Sequence, residues 1–188
     1  MATSNSKDRR ATTLDFAATL PPTLYWDASF IINLVHEDGR WHKECLAFGV
    51  RLKVGDTLSY VSTLALDEAW FNLLQIMIDD EYGAKSFWRV INANPAIVSD
   101  YVDCLEQITN DIYDNPRIRV VSVDTRYPRQ ALKYMREFHF LPRDALHLAA
   151  MRQHKLKHIV TTDADFVSVT DISIFTCSPT LLSGSLAH

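Results

Sequence analysis

Residues 141–166 constrain this chain more than any other stretch. In Leu141-Pro142-Arg143-Asp144 the proline suits the first turn of a helix, where its missing N–H would have no partner, and Asp144 is favoured by the positive end of the helix dipole. From Ala145 to Met151 the residues are apolar on nearly every side except at His147, so this helix is expected to be buried. An ionised Asp144 then needs a partner such as a cation. The strand that follows, His158-Ile159-Val160-Thr161, runs into Thr162-Asp163-Ala164-Asp165. Ligands of open parallel sheets sit beyond the carboxyl ends of the strands, so Asp144 and the Asp163/Asp165 pair are expected on one rim.

The rest of the chain repeats the same order of strand, polar residue and helix. After a polar stretch, Pro21-Pro22 delivers the chain into the short strand Thr23-Leu24-Tyr25-Trp26, which ends in Asp27. Ser29 can cap a helix from Phe30 to His36, and a second helix is expected from Trp41 to Lys53, closed by Gly55. Leu58-Ser59-Tyr60-Val61 reads as the next strand, with Ser62 or Thr63 as the following cap. In that helix Leu66, Ala69, Trp70, Leu73, Leu74 and Met77 share one face; Asp67 lies on its flank and Glu68 roughly opposite. Helices near Lys85 to Ile91 and after the Asn94-Pro95 cap complete an enlarged helical block before a third strand, Ile118 to Val123, which is β-branched and buried in character. A helix from Arg126 to His139 leads back to Pro142, and Ile172 to Phe175 reads as a last, edge-type strand.

Strands alternating with helices imply a three-layer α/β/α domain around a central parallel sheet. The expected boundaries are a polar N-terminal tail over 1–22, one domain over 23–177 and a C-terminal tail over 178–188. A net charge of -4 argues against a uniformly basic nucleic-acid surface but leaves room for local basic patches or metal-held contacts. Cys45, Cys104 and Cys177 fit neither a disulfide framework nor a zinc site and read as reduced and buried. No apolar run reaches membrane-spanning length and the first residues lack the apolar segment of a secretory signal, so a cytoplasmic protein without membrane partners is expected.

Four acidic points, Asp27, Glu68, Asp144 and Asp163 with Asp165, each follow a strand or open a helix, and the fold would gather them. Clustered carboxylates repel one another unless a cation offsets them, and oxygen ligands suit Mg²⁺ or Mn²⁺ better than zinc. Such a site favours phosphodiester hydrolysis. The plainer reading is that acids at helix starts are simply favourable caps. With five glycines the chain has no phosphate-cradling loop, and it has no nucleophile elbow and no Cys–His zinc spacing.

The ordered set Tyr25-Trp26-Asp27-Ala28-Ser29, Leu66-Asp67-Glu68-Ala69, Arg143-Asp144-Ala145-Leu146-His147-Leu148-Ala149 and Val160-Thr161-Thr162-Asp163-Ala164-Asp165-Phe166 resembles the PIN domain family, in particular the VapC-type toxins of toxin–antitoxin pairs. The resemblance implies a Mg²⁺- or Mn²⁺-dependent endoribonuclease whose metal-holding acids are Asp27, Glu68, Asp144 and Asp163, supported by Ser29, Thr161, Asp165 and Arg143. It selects Glu68 over Asp67, a choice that helical periodicity leaves open. It also implies an RNA substrate, a cognate antitoxin and a homodimer. The alternatives are an RNA-processing nuclease without an antitoxin and a catalytically silent PIN-like binding module. His147 reads as a packing residue and Trp41, Trp70 and Trp88 as core. Arg126, Arg129, Lys133 and Arg136 form one helix face that reads as solvated, with RNA tracking as the second reading, and Arg143 is the better phosphate contact.

Overall fold

The computed structural model describes residues 10–184. Its elements in chain order are β1 (Thr12–Asp15), β2 (Thr23–Trp26), α1 (Ala28–Val35), α2 (His42–Val54), β3 (Leu58–Ser62), α3 (Thr63–Tyr82), α4 (Phe87–Ala93), a 3-10 turn (Pro95–Tyr101), α5 (Val102–Tyr113), β4 (Ile118–Val121), α6 (Tyr127–Phe138), α7 (Pro142–Gln153), β5 (His158–Val160), a second 3-10 turn (Asp165–Ser168), β6 (Ser173–Thr176) and α8 (Pro179–Leu182). The six strands form one sheet in the order β1-β6-β5-β2-β3-β4, and every pairing is parallel.

Parallel strands must be covered on both faces, and alternation along each strand shows how this is done. Tyr25, Ile159 and Ile174 point into one core with Ala131 of α6 and with Leu148 and Met151 of α7. Their neighbours Leu24, Trp26, Val160 and Phe175 point into the other core, with Phe30 of α1, Phe48 of α2, Leu66 of α3 and Ile112 of α5. The domain is therefore a three-layer α/β/α sandwich. A small satellite core of Ile78, Phe87, Val90 and Ile97 holds the far end of α3 against α4 and the 3-10 turn.

The chain runs from β2 outward to β3 and β4, then crosses back to place β5 on the other side of β2. This reversal opens a crevice at the carboxyl ends of β2 and β5, the place where such sheets bind ligands. Register puts Trp26 beside Val160, so Asp27 and Thr161 leave their strands side by side.

Several expectations are corrected. Residues 12–15 do not belong to a polar tail: Thr12-Thr13-Leu14-Asp15 forms β1 and pairs with β6 throughout. Consequently β6 is not an edge. Its Ile174, Phe175 and Thr176 are buried, and the alternation that predicts an edge strand is absent from it. The second edge is instead β4, which is half-exposed despite its β-branched sequence. The 178–188 tail contains the short helix α8, whose Leu181 is buried. Ser29 lies inside α1, which begins after Asp27, and its hydroxyl serves the site described below rather than a cap. Ser62 does cap α3, accepting from the Ala65 N–H at 3.0 Å. Asn94 provides no side-chain cap, and the segment after it is 3-10 before it becomes α-helical. All three cysteines are free as expected, but only Cys45 is buried and Cys104 is exposed. Trp70 and Trp88 are exposed rather than core.

The N-terminal segment is anchored by an aromatic contact. Phe16, just past β1, stacks on Phe48 with ring centroids 4.2 Å apart and planes 9° from parallel. Phe16→Ala is expected to lower unfolding free energy by about 3 kcal/mol, the cost of emptying an aromatic core site. Urea unfolding measures it, and a loss under about 0.5 kcal/mol, the range of a surface substitution, would show that residues 10–16 are dispensable to the fold.

Candidate active site

Asp27 is fixed before anything else can bind. Its Oδ2 accepts hydrogen bonds from the hydroxyls of Ser29 and Thr161, both at 2.8 Å, and those hydroxyls lie 3.0 Å from each other. The backbone completes the knot: Thr162 N–H donates to Ser29 Oγ, Asp163 N–H donates to Thr161 Oγ1, and Asp27 N–H donates to the Val160 carbonyl. The ends of β2 and β5 are thus tied through one carboxylate oxygen, while Oδ1 lies 4.0 Å from His147 Nε2. Asp27 is 6% exposed, which its hydrogen bonds make tolerable.

Glu68 reaches the same place from α3. Its Oε2 lies 3.2 Å from His147 Nε2, and its Oε1 lies 3.6 Å from the guanidinium of Arg143. The His147 hydrogen bond, with help from Arg143, holds the Glu68 carboxyl below its ordinary range. His147 is 1% exposed; its Nδ1 lies 2.7 Å from the Tyr25 hydroxyl, which lies 2.6 Å from Ser62 Oγ. One proton arrangement satisfies every group. Ser62 accepts from Ala65 N–H and donates to Tyr25, Tyr25 donates to Nδ1, and Nε2–H donates to Glu68. Burial pushes the Tyr25 phenol strongly up, so it remains a donor at any ordinary pH. His147 is therefore a positioning residue that the packing reading missed. The available signal was its place three residues after Asp144, as the one polar side chain in an otherwise apolar helical run.

Asp27, Ser29, Glu68, Asp144, Asp163 and Asp165 line one pocket of about 170 Å³, with Asn72 of α3 one turn beyond Glu68. Every expected acid is present in it. Thr161 and His147 stand directly behind, and Arg143 touches the site only through Glu68. Asp144 and Asp163 are each pushed up to about 6, chiefly by loss of water; Asp165 adds most of the repulsion at Asp144, and Asp27 most at Asp163. Asp165 is raised for the same reasons. Among the described residues, no group of three or more His, Cys, Asp or Glu side chains is placed to hold a metal ion as it stands. The donor set nevertheless fits a hard divalent cation, since it is made of carboxylate and hydroxyl oxygens and two of its acids are under-compensated.

The PIN domain family model matches residues 24–172, which run from within β2 to just before β6 and include every acid of the pocket. This chain belongs to the PIN domain family. The fold of this PIN domain is shared by a solved structure of VapC20 from Mycobacterium tuberculosis, described as a Sarcin-Ricin loop cleaving toxin. The two are 16% identical, with a TM-score of 0.52 over 76% of this chain and 92% of that one. A structure described as a toxin-antitoxin complex from Klebsiella pneumoniae is 14% identical, with a TM-score of 0.49 over 79% of this chain and 94% of that one. No curated protein matches the chain significantly. No helix among the described residues is long and apolar enough to cross a membrane.

The burial of these acids, with their crowding, predicts a pH signature in metal-free protein. Folded Asp144 and Asp163 keep their protons up to about pH 6, whereas unfolded carboxyls lose theirs near pH 4. The folded state thus binds more protons in that window, so these two groups make stability fall as pH rises from about 4 to about 6. Asp144→Asn removes one of them. In EDTA the mutant is expected to melt with wild type at pH 4 and above it at pH 7. A difference that stays constant across this range would show that the Asp144 carboxyl is neither desolvated nor crowded enough to be raised.

Proposed function

We propose that this PIN domain is a divalent-metal-dependent endoribonuclease and the toxin of a type II toxin–antitoxin pair. The observation that carries the reading is the single acidic pocket at the β2/β5 crevice, in a chain whose family model spans it. Asp27, Glu68, Asp144 and Asp163 are assigned to holding Mg²⁺ or Mn²⁺, with Asp165 beside them. When bound, such a cation supplies charge neutralisation for carboxylates and phosphate and acidifies water for attack on phosphorus.

The chain's own residues do the remaining work. The hydroxyls of Ser29 and Thr161 hold Asp27 in one orientation at the pocket wall, with its second oxygen near His147. His147, itself fixed by Tyr25, keeps Glu68 ionised and aimed. Arg143, half-exposed at the rim, can leave its loose contact with Glu68 to meet a phosphate oxygen of incoming RNA. Asp144 and Asp163 would ionise fully once a cation offsets their repulsion.

An antitoxin would neutralise this pocket with an Arg or Lys, because uncompensated carboxylates attract a charge-assisted donor. VapC20, whose fold this chain shares, is itself described as a toxin. A homodimer formed through helices outside the acidic rim belongs to the same reading, with a cytoplasmic location; light scattering that reports a monomer at micromolar concentration would remove the dimer. The second reading, a catalytically silent binding module, has no specific observation in its favour.

The deciding experiment is cleavage of a panel of structured RNAs in Mg²⁺, Mn²⁺ and EDTA. Metal-dependent cuts are expected, lowered at least about 100-fold by Glu68→Gln or Asp144→Asn, since outer-shell partners alone are worth about 10–100-fold. Asp67→Asn should retain most activity; the reverse outcome at positions 67 and 68 would move the ligand assignment by one residue. Mg²⁺ should raise the melting temperature of wild type and barely move that of Asp144→Asn. Growth arrest on expression, relieved by a neighbouring frame encoding a small DNA-binding protein, would separate toxin from RNA-processing nuclease.

A further inference from the structure

Two of the chain's three thiols meet in the core between α2 and β6, far apart in sequence. Cys45 lies in the first half of α2 and is fully buried; Cys177 follows β6 directly and is half-buried. Each is placed by an aromatic neighbour on its own element. Phe48 lies one helical turn after Cys45 on the same buried face of α2, and Phe175, two residues before Cys177, belongs to the same side of β6. These two rings stack, with centroids 6.0 Å apart and planes 23° from parallel. Near the end of α2, Arg51 donates to the Ala18 carbonyl just ahead of β2, so the helix runs back toward the amino ends of the strands. Cys45 therefore lies from Phe48 in the same direction as Cys177 lies from Phe175. Ser178 N–H donates to the buried Thr176 hydroxyl at 3.1 Å, which fixes the turn that carries Cys177.

The contact is directional. Cys45 donates its S–H to the Cys177 sulfur; this bond and burial push the Cys45 thiol up, while the same bond holds the Cys177 thiol below its ordinary range against the opposing charges of Glu44 and Asp15. The thiolate is the reactive form of cysteine, so the more accessible sulfur is also the better nucleophile, with a second thiol behind it.

We propose that Cys45 and Cys177 are a redox pair that a hydroperoxide closes into a disulfide, tying the first half of α2 to the end of β6. The Cys177 thiolate attacks one peroxide oxygen; the O–O bond breaks, leaving a sulfenic acid and a hydroxide that takes up the proton Cys177 lost. The Cys45 sulfur then attacks the sulfenic sulfur, the S–O bond breaks, and the hydroxyl leaves with the Cys45 proton as water. Two thiols are oxidised by two electrons and the peroxide is reduced to water. Thiol reductants reverse the bond, as expected of disulfides formed transiently in a reducing compartment. The Phe175 carbonyl also accepts from Thr161 N–H at 3.1 Å, so the disulfide braces the strand beside the pocket wall without using any of the pocket's acids.

The test treats the reduced full chain with an equivalent of hydrogen peroxide and maps its peptides by mass spectrometry without reductant. A Cys45–Cys177 linked peptide, lighter than the two separate peptides by two hydrogens, is expected. Because the thiols already touch, the bond should form without strain, and the oxidised chain should melt at least about 5 °C higher than the reduced one, returning on addition of dithiothreitol. The same treatment of Cys177→Ser should give neither the link nor the rise. In Cys45→Ser, dimedone should trap a sulfenic acid at Cys177 before it labels exposed Cys104. The wild-type map and the Cys177→Ser control decide the result even where loss of the buried Cys45 thiol weakens the fold. No linked peptide, links that use Cys104, or a linked chain that melts no higher than the reduced one would overturn the proposal. None of these readouts involves RNA cleavage, so failure here and failure of the nuclease reading are separate results.

Discussion

One carboxylate oxygen, Oδ2 of Asp27, organises the working end of this molecule. By accepting from Ser29 and Thr161 at once, it closes the gap between two strands that are far apart in sequence and belong to opposite halves of the sheet. The crevice at the reversal of strand order would otherwise be lined by the loose ends of β2 and β5. Hydrogen bonds to an ionised acceptor are the strong kind, and here they are also shielded by burial. The side chain that faces the pocket is thus the one that fixes the pocket's shape. The helix that follows β2 begins immediately after it, so α1 inherits the same placement.

The acids around the pocket fall into two groups. Asp27 and Glu68 are compensated by the protein: the first by hydroxyls, the second by the buried chain Ser62–Tyr25–His147 and by Arg143. Asp144, Asp163 and Asp165 have no ion-pair partner among the described contacts, and all three are raised. Two strand ends and a buried histidine orient some of these carboxylates while others are left to repel, an arrangement that helix capping alone does not require. Local rules are typically broken in this way at functional sites.

The βα order, the parallel sheet and the gathering of the acids were legible in the sequence because each rests on local signals: strand ends, proline at a helix start and apolar periodicity. The failures share a cause as well. β1 is short, polar and paired only with the last strand, so nothing within residues 12–15 announces it. Its pairing also turns β6 from an edge into an interior strand. The exposure of Trp88 was invisible to periodicity because Phe87 beside it, not Trp88, fills the satellite core. His147 was read as packing because burial and polarity point in different directions until a partner is known, and Tyr25 and Glu68 are distant in sequence.

Net charge says little for a related reason: it averages over regions that behave differently. The segment 79–106, which runs from the end of α3 into α5, accounts for -4, leaving 17 acids and 17 bases in the rest of the chain. Five of those acids, Asp27, Glu68, Asp144, Asp163 and Asp165, line the pocket. Outside that segment and the pocket the sequence holds 12 acids and 17 bases, a net basic set. Charge is distributed unevenly along the chain, so its formal net charge does not by itself oppose an RNA substrate. The exposed Arg129, Lys133 and Arg136 lie on α6, the helix packed beside α7, and Arg143 opens α7 at the pocket rim. Under the nuclease reading, RNA would therefore approach over α6 and α7, on the side of the pocket away from the block that carries Trp88.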